Sequence, residues 1–172
     1  MNGILCVNKP AGMTSFDVVA RVRRVFGSKV GHSGTLDPEA TGVLVLAVNK
    51  ATKALNFIGV ENKTYEGVVQ LGLKTHTGDI WGDVLEEQDI PDITEDKGQE
   101  VLQSFVGAMR QRVPKVSAKK INGKKSYDLV RQNKDVEQLY TDINIMEIRF
   151  IAFDGINIRF EATVSNGTYI RT

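Results

Sequence analysis

The sequence predicts a mixed α+β fold, in which helices flank a largely antiparallel sheet. Segments rich in β-branched and aromatic residues alternate irregularly with two or three helical segments, without the regular strand–helix–strand period of a parallel sheet. The apolar fraction of 41% and the charged fraction of 25% are ordinary for a globular protein. A length of 172 residues suffices for one substantial domain or two very small ones.

The first elements have clear local signals. The segment "GILCVN" predicts a short strand that ends at the turn 9–12, and "TSFDVVARVRRVFG" predicts a helix. Thr14 is suited to cap this helix, Asp17 completes a capping box, and Gly27 is suited to end it. Helical spacing predicts one apolar face made of Phe16, Val19, Val22, Val25 and Phe26.

The remaining elements follow from composition and alternation. "GVLVLAV" is typical of a strand buried on both faces, and "NKATKALNFIG" predicts a short helix that ends at Gly59. "TYEGVVQLGL" and "GDVLEEQ" predict strands on either side of "KTHTGDIWG", and "ITEDKGQEVLQSFVG" predicts a helix capped by Thr94, with apolar positions at Ile93 and 101–105. Three further strands are predicted in "AMRQRV", "INIMEIRFIAF" and "NIRFEATVS".

Several classes of protein are disfavoured. No apolar stretch approaches the roughly 18 to 20 residues of a membrane helix, and the N-terminus lacks the apolar core of a signal peptide. The one cysteine, Cys6, fits a reducing compartment, so we expect a cytoplasmic protein with no membrane association. Two histidines and one cysteine, at no ligand spacing, argue against a zinc site. No Walker loop or dinucleotide fingerprint is present, and we expect no cofactor.

Charge is segregated along the chain, although the net charge is only +1. Residues 86–100 carry seven acidic residues and one lysine, whereas residues 110–131 carry eight lysines or arginines and one aspartate. The basic segment is either a face that binds a polyanion or a solvated lysine-rich loop, and charge alone leaves both open.

Asp37 lies in the segment "VGHSGTLDPEATGVLVLAV", in a glycine-rich turn that leads into an apolar strand. An aspartate before proline is a common turn former, so a purely structural role is one interpretation. His32 and three hydroxyl residues (Ser33, Thr35 and Thr41) share the turn. A carboxylate at the mouth of a sheet can instead act as a nucleophile or a general base, which is the other interpretation.

Six motifs, in order along almost the whole chain, resemble those of the TruB family of pseudouridine synthases. They are "NKPAGMTSFDVVARVRR", "KVGHSGTLDPEATGVL", "KTYEGVVQLG", "THTGD", "VPKVSAKKINGKKSYDLVR" and "SNGTYIRT". The resemblance implies the pseudouridine-synthase fold and isomerisation of the T-loop uridine of tRNA. The uracil N-glycosidic bond would break, and the rotated base would be rejoined to the sugar through C5.

The resemblance also implies roles for individual residues. Asp37 would be the catalytic aspartate, the Tyr65 ring would stack on the target base, and Arg171 would pair with the aspartate and favour its charged form. Without the family, Tyr65 would be a packed strand tyrosine and Arg171 a surface arginine. Other positions matched to the neighbourhood of the pocket are Lys63, Thr75, Thr77, Asp79, Tyr169 and Ile170, whereas Lys9 and Pro10 would shape the fold around it. For Asp79, a role as a structural cap or turn acceptor is an equal alternative to a contact with the substrate.

Recognition of RNA is implied as well. His32 would contact the T loop and fill the space left by the flipped base, although a hydrogen-bonded turn histidine is a close alternative. The basic segment would be a mobile element that closes over the T-arm stem-loop. Its phosphate contacts would be Lys119, Lys120, Lys124, Lys125 and Arg131.

The resemblance implies that residues 1–172 are a catalytic domain of a monomeric enzyme, lacking its C-terminal helices and a C-terminal PUA domain. The alternatives are a dyskerin-like enzyme guided by small RNAs, a tRNA-binding or tRNA-folding module without chemistry, and a glycosidase. A glycosidase would need a second carboxylate, and no candidate stands out beside Asp37.

Overall fold

Antiparallel strands make up most of the regular structure, which confirms the predicted fold class. The structure is a computed structural model that describes residues 1–58, 62–114, 120–121, 124–125 and 138–172, with the backbone alone described at 120–121 and 124–125. The chain divides into two units, Met1–Val60 and Glu61–Thr172.

The first unit is a three-stranded sheet with one α-helix and one 3₁₀ helix. In chain order its elements are β1 (Gly3–Lys9), α1 (Ser15–Phe26), β2 (Val30–His32), β3 (Gly42–Val48) and the 3₁₀ helix Asn49–Asn56. The central strand β3 pairs antiparallel with both β1 and β2. Its residues from Leu46 to Val48 are buried on both faces, as predicted, whereas Val43 near its start is exposed.

Helix α1 has the predicted ends and a partly different buried face. Thr14 and Asp17 form the capping box, and Gly27 adopts a left-handed conformation (φ +57°) at the C-terminus. The prediction was wrong for Phe16 and Val25, which are 63% and 79% exposed. The buried residues that it missed are Ser15 and Val18. A stripe of Ser15, Val18, Val19, Val22 and Phe26 therefore faces the sheet.

The second unit is built on a four-stranded antiparallel sheet in the order β4-β11-β10-β7. Its elements are β4 (Asn62–Gln70), β5 (Leu73–Thr75), β6 (Val84–Glu87), α2 (Glu95–Gln103), β7 (Gly107–Arg112), β8 (Lys120–Ile121), β9 (Lys124–Lys125), β10 (Tyr140–Phe153) and β11 (Asn157–Ser165). Strand β5 pairs with β6, and β8 pairs with β9. Helix α2 and the sheet bury a cluster that includes Leu102, Ile148, Phe160 and Val164.

Three local predictions for the chain after β3 need correction. The predicted helix before Gly59 is a 3₁₀ helix, and Gly59 itself lies outside the described residues. The single strand predicted in "TYEGVVQLGL" is two strands, because Gly72 turns the chain with a φ of +77°. In α2, Thr94 is the cap as predicted, but Val101 and Phe105 are exposed and only Leu102 of that segment is buried.

Candidate catalytic site

The Asp37 turn connects β2 to β3 in the first unit. Asp37 accepts a hydrogen bond at its backbone carbonyl from the N–H of Ala40 (3.1 Å), which closes a tight turn around Pro38. The side chain of Asp37 is exposed. The turn therefore presents a carboxylate to solvent from a short, hydrogen-bonded backbone segment.

Lys9, at the end of β1, holds the residue that follows Asp37. Its ammonium group is fully buried (0% exposed) and donates to three backbone carbonyls, those of Pro10 (2.8 Å), Met13 (2.7 Å) and Pro38 (2.8 Å). Burial lowers the pKa of Lys9, while the carboxylates of Glu39 and Asp37 act in the opposite direction. All three ammonium donors are satisfied, so the buried charge ties the Asp37 turn to the β1–α1 turn.

Ser15, the first residue of α1, holds the residue that precedes Asp37. Its hydroxyl accepts from the N–H of Leu36 (3.0 Å) and donates to the carbonyl of Leu36 (3.3 Å), and the side chain is only 2% exposed. Both neighbours of Asp37 are thus anchored by buried polar side chains. The sequence predicted a shaping role for Lys9, but the role of Ser15 was not anticipated.

His32 is the last residue of β2 and lies at the start of the same turn. Its Nδ1 donates to the carbonyl of Gly34 (2.5 Å), because a carbonyl oxygen can only accept. In the neutral ring this leaves Nε2 as the acceptor nitrogen. The hydrogen-bonded turn histidine is therefore present, and a contact of His32 with the T loop remains a prediction.

Tyr65 lies in the middle of β4, opposite Ala162 of β11. It is half-buried and packs against the cluster of the second unit, on the same side of the strand as Lys63 and Gly67. Gly67 is required there, because a Cβ at this position would lie 2.8 Å from the ring of Phe160. Ile170 packs against the same cluster, so the structure brings Tyr65 and Ile170 together around one apolar core.

Arg171 is held by the loop between β5 and β6. Its Nη1 donates to the carbonyl of Thr77 (2.9 Å). Gly78 (φ +77°) approaches Arg171 so closely that an added Cβ would lie 2.2 Å from the Arg171 carbonyl oxygen. The loop therefore contacts Arg171 at both its guanidinium group and its backbone.

Asp79 acts within this loop as a turn acceptor. Its Oδ1 accepts from the hydroxyl of Thr77 (2.7 Å) and the N–H of Trp81 (3.2 Å), and its carbonyl accepts from the hydroxyl of Thr75 (2.6 Å). The sequence left this residue open between a turn role and a substrate contact. The structure shows the turn role.

Tyr169 is joined to β7 by a residue that the sequence analysis missed. The side-chain amide of Gln111 donates to the Tyr169 carbonyl (2.8 Å) and accepts from the Tyr169 N–H (2.9 Å). Gln111 is in phase with Met109 and Val113 along the strand. A polar residue at a core-facing position of "AMRQRV" was the signal that could have identified it.

The predicted phosphate contacts lie mostly beyond what can be described. Lys119 and Arg131 fall outside the described residues, and only the backbone is described at Lys120, Lys124 and Lys125. Those three lysines belong to a two-stranded antiparallel pair, in which Lys120 lies opposite Lys125 and Ile121 lies opposite Lys124. The side-chain roles of all five basic residues remain predictions.

The described residues contain neither a candidate membrane-spanning helix nor a candidate metal site. No helix in the described part of the chain is long and apolar enough to cross a membrane. In those same residues, no group of three or more histidine, cysteine, aspartate or glutamate side chains is arranged to hold a metal ion.

Comparison with known proteins gives a consistent result. Residues 23–170 match the family model described as "TruB family pseudouridylate synthase (N terminal domain)". A protein named tRNA pseudouridine synthase B from Oenococcus oeni is 45% identical over 99% of this chain and 60% of its own length. Its namesake from Oceanobacillus iheyensis is 45% identical over 100% of this chain and 58% of its own length. The chain thus spans about three-fifths of the length of these relatives.

Solved structures agree with the sequence relatives. A chain from "Structure of H/ACA RNP bound to a substrate RNA containing 2'-deoxyuridine" superposes with a TM-score of 0.68 at 26% identity, over 98% of this chain and 39% of its own length. A chain from "Crystal Structure of a Cbf5-Nop10-Gar1 Complex" gives a TM-score of 0.68 at 27% identity, over 98% of this chain and 41% of its own length. The family match, the relatives and the fold lead to one conclusion: the chain belongs to the TruB family of pseudouridylate synthases.

Proposed function

We propose that the chain isomerises uridine to pseudouridine in the T loop of tRNA, with Asp37 as the catalytic carboxylate. The observation that carries the proposal is the anchoring of the Asp37 turn, together with membership of the family. Ser15 fixes Leu36 and Lys9 fixes Pro38, while the carboxylate between them is exposed. A backbone held on both sides of an exposed reactive group suits catalysis, which depends on well-positioned groups.

The reaction makes limited demands on the protein. The C1′–N1 bond breaks, the base rotates, a C1′–C5 bond forms, the C5 proton leaves and N1 gains a proton, so no redox partner is needed. An ionised carboxylate suits either attack on the substrate or removal of a proton. The side chain of Asp37 supplies this group in the proposal.

Tyr65 and Arg171 support the reaction from the second unit. Tyr65 sits half-buried against an apolar cluster, which favours a fixed ring for stacking on an extruded base. Arg171 is oriented by its bond to the Thr77 carbonyl. The family resemblance implies that its guanidinium group favours the charged form of the catalytic aspartate, and the proposal keeps that role.

Binding of the RNA is assigned to its backbone and loop shape. Lys119, Lys120, Lys124, Lys125 and Arg131 contact phosphates of the T-arm stem-loop, and His32, Lys63, Tyr169 and Ile170 contact the loop. Binding of this type is expected to weaken steeply with salt, because phosphate contacts release counterions. In this proposal residues 1–172 supply the catalytic domain, and the protein acts as a monomer in the cytoplasm without a cofactor.

The reaction is tested with a T-arm stem-loop that carries 5-³H-uridine. Formation of the C5 bond must expel the label, so the chain should release one tritium for each loop converted. A matched stem-loop has cytidine at the target position and labelled uridines elsewhere, and it should release none. Binding without release would instead indicate an RNA-binding module without chemistry, and equal release from both would contradict the assigned target.

A further inference from the structure

Gln111 forms a two-bond contact with the backbone of Tyr169, 58 residues further along the chain. Its amide donates to the Tyr169 carbonyl and accepts from the Tyr169 N–H, at 2.8 and 2.9 Å. The Gln111 side chain is 8% exposed, so solvent contributes little to its hydrogen bonding. A glutamine amide has the same donor and acceptor as a peptide group, and here it pairs with Tyr169 as a neighbouring strand would.

The partner segment has few other ways to fix its backbone. Strand β11 ends at Ser165, opposite the first residue of β4. The chain then turns at 166–168, with a φ of +86° at Gly167. Tyr169 follows this turn outside any strand. Without Gln111 the half-buried N–H would lose this partner, while the carbonyl would keep its longer bond from the N–H of Thr172 (3.3 Å). Buried backbone groups that lose hydrogen bonds are unfavourable, so the segment is expected to shift.

The position of Arg171 depends on how the backbone is held at Tyr169. The backbone of Arg171 also lies very close to Gly78, because an added Cβ on Gly78 would lie 2.2 Å from the Arg171 carbonyl oxygen. The guanidinium group is meanwhile bonded to Thr77. Only Ile170 separates Tyr169 from Arg171, so a shift of the Tyr169 backbone is passed on to Arg171.

We propose that Gln111 is a positioning residue, which fixes the backbone of Tyr169 and thereby sets the placement of Arg171 for the reaction. This inference rests on the proposed function. Gln111 itself touches no reacting atom. Its loss is expected to slow the chemical step far more than it weakens RNA binding. A displacement on the order of 1 Å at a supporting group can cost about 10²-fold in rate, whereas Tyr169 and Ile170 are two of many proposed contacts and phosphate contacts dominate the affinity.

The chain offers a matched control. Gln103, at the end of α2, also bonds through its amide to a distant backbone carbonyl, that of Ile148 (2.6 Å). Gln103→Met and Gln111→Met therefore each remove a side-chain amide that bonds to a distant backbone carbonyl of the same unit, although Gln103 is the more exposed residue. Only Gln111→Met frees the segment that carries Arg171.

The experiment measures single-turnover release of tritium from the labelled T-arm stem-loop, together with the Kd for the RNA and hydrogen exchange at the Tyr169 N–H. Gln111→Met is expected to lose about 10²-fold in rate with a much smaller change in Kd, and to lose protection at Tyr169. Gln103→Met should match the parent in all three. A second variant, Gln111→Glu, keeps an acceptor for the Tyr169 N–H, but when ionised it buries a charge and faces the Tyr169 carbonyl with another acceptor, so its rate should fall at least as far as that of Gln111→Met.

Each other outcome has a definite meaning. A parent that releases no label would overturn the proposed function, and this role with it. A parent that is active beside Gln111 variants of equal rate would overturn the positioning role alone. A loss that appears only in Kd, or equally in Gln103→Met, would also overturn it.

Discussion

The two units anchor their candidate catalytic residues in similar ways but with different chemistry. In the first unit, Ser15 and the buried ammonium of Lys9 hold the backbone on both sides of Asp37. In the second unit, the neutral amide of Gln111 holds the backbone two residues before Arg171. In each case a buried polar side chain, rather than a regular strand, fixes the segment that carries the functional group.

The two sets of anchoring side chains differ in their charge and in their separation along the sequence from the segments that they hold. Lys9 and Ser15 lie within 30 residues of the turn that they hold, whereas Gln111 lies 58 residues from Tyr169. A buried ammonium must have all its donors satisfied, so its removal affects several carbonyls at once. A neutral amide pairs with one peptide unit, and its loss is more local. The first unit should therefore be more sensitive to loss of its anchor.

The largest expected effect on stability is that of Lys9→Met. The substitution leaves the carbonyls of Pro10, Met13 and Pro38 without their common donor, and it should lower the free energy of unfolding by about 3 kcal/mol. Urea denaturation measures this change. Lys50→Met, at an exposed position of the same unit, should leave stability within about 0.5 kcal/mol of the parent. Equal stability of the two variants would mean that the buried ammonium of Lys9 does not stabilise the first unit.

Gly78→Ala sharpens the comparison from the second unit. The added methyl group would clash with the Arg171 carbonyl, at a residue that already has a φ of +77°. The free energy of unfolding should therefore fall by about 3 kcal/mol, slightly less than in Lys9→Met. Gly155→Ala is the control, because Gly155 has a φ of +95° but nothing within 4 Å of its added Cβ. That variant should cost about 1 kcal/mol. If both variants unfold at the same urea concentration, the close approach to Arg171 does not constrain the loop.

The two helix caps test the comparison on a smaller scale. Thr14 forms a full capping box with Asp17, whereas Thr94 makes only a 3.3 Å bond to the N–H of Lys97. Thr14→Ala should therefore cost about 1 kcal/mol, and Thr94→Ala should cost less. Thermal unfolding of the two variants gives the ranking. The reverse order would mean that the capping box does not stabilise α1.

The smallest expected effect is on the way stability falls at acidic pH. Hydrogen bonds from the side chain and backbone of Thr14 lower the pKa of Asp17, and those from the backbone and side chain of Asn157 lower the pKa of Asp154. Because each folded-state pKa lies below the unfolded value, each stabilising contribution is present above about pH 4 and is lost as the pH falls through the folded pKa. Asp17→Asn and Asp154→Asn should each flatten the fall in melting temperature below pH 4. An unchanged slope in both variants would contradict this assignment.

The predictability of the fold follows the same division between local and distant contacts. Thr14, Asp17 and Gly27 were predicted as helix ends because capping depends on residues within one turn. Phe16 and Val25 were placed on the wrong face, because spacing alone did not show that the sheet packs against the stripe from Ser15 to Phe26. The break at Gly72 was missed because a glycine in a strand-like segment does not reveal its φ.

For the candidate site, the sequence leads to specific residues only through motifs, and their catalytic roles stay predictions. Asp37, Tyr65 and Arg171 were identified through the family resemblance, since neither charge nor alternation distinguished a functional tyrosine from a packed one. The anchors Ser15 and Gln111 were missed, because their partners Leu36 and Tyr169 are backbone groups that leave no signal in the sequence. Only the core-facing phase of Gln111 hinted at its role.

The central claim is that the anchored carboxylate of Asp37 carries out the chemistry, and single-turnover tritium release from tRNA tests it most directly. Asp37→Asn keeps the shape of the turn and removes the charge, while Glu39→Gln makes the same change two residues away. The account predicts a loss on the order of 10⁴-fold for Asp37→Asn, with unchanged RNA affinity, and a nearly parental rate for Glu39→Gln. Release by Asp37→Asn at the parental rate would contradict the account and leave Asp37 as a turn-forming residue.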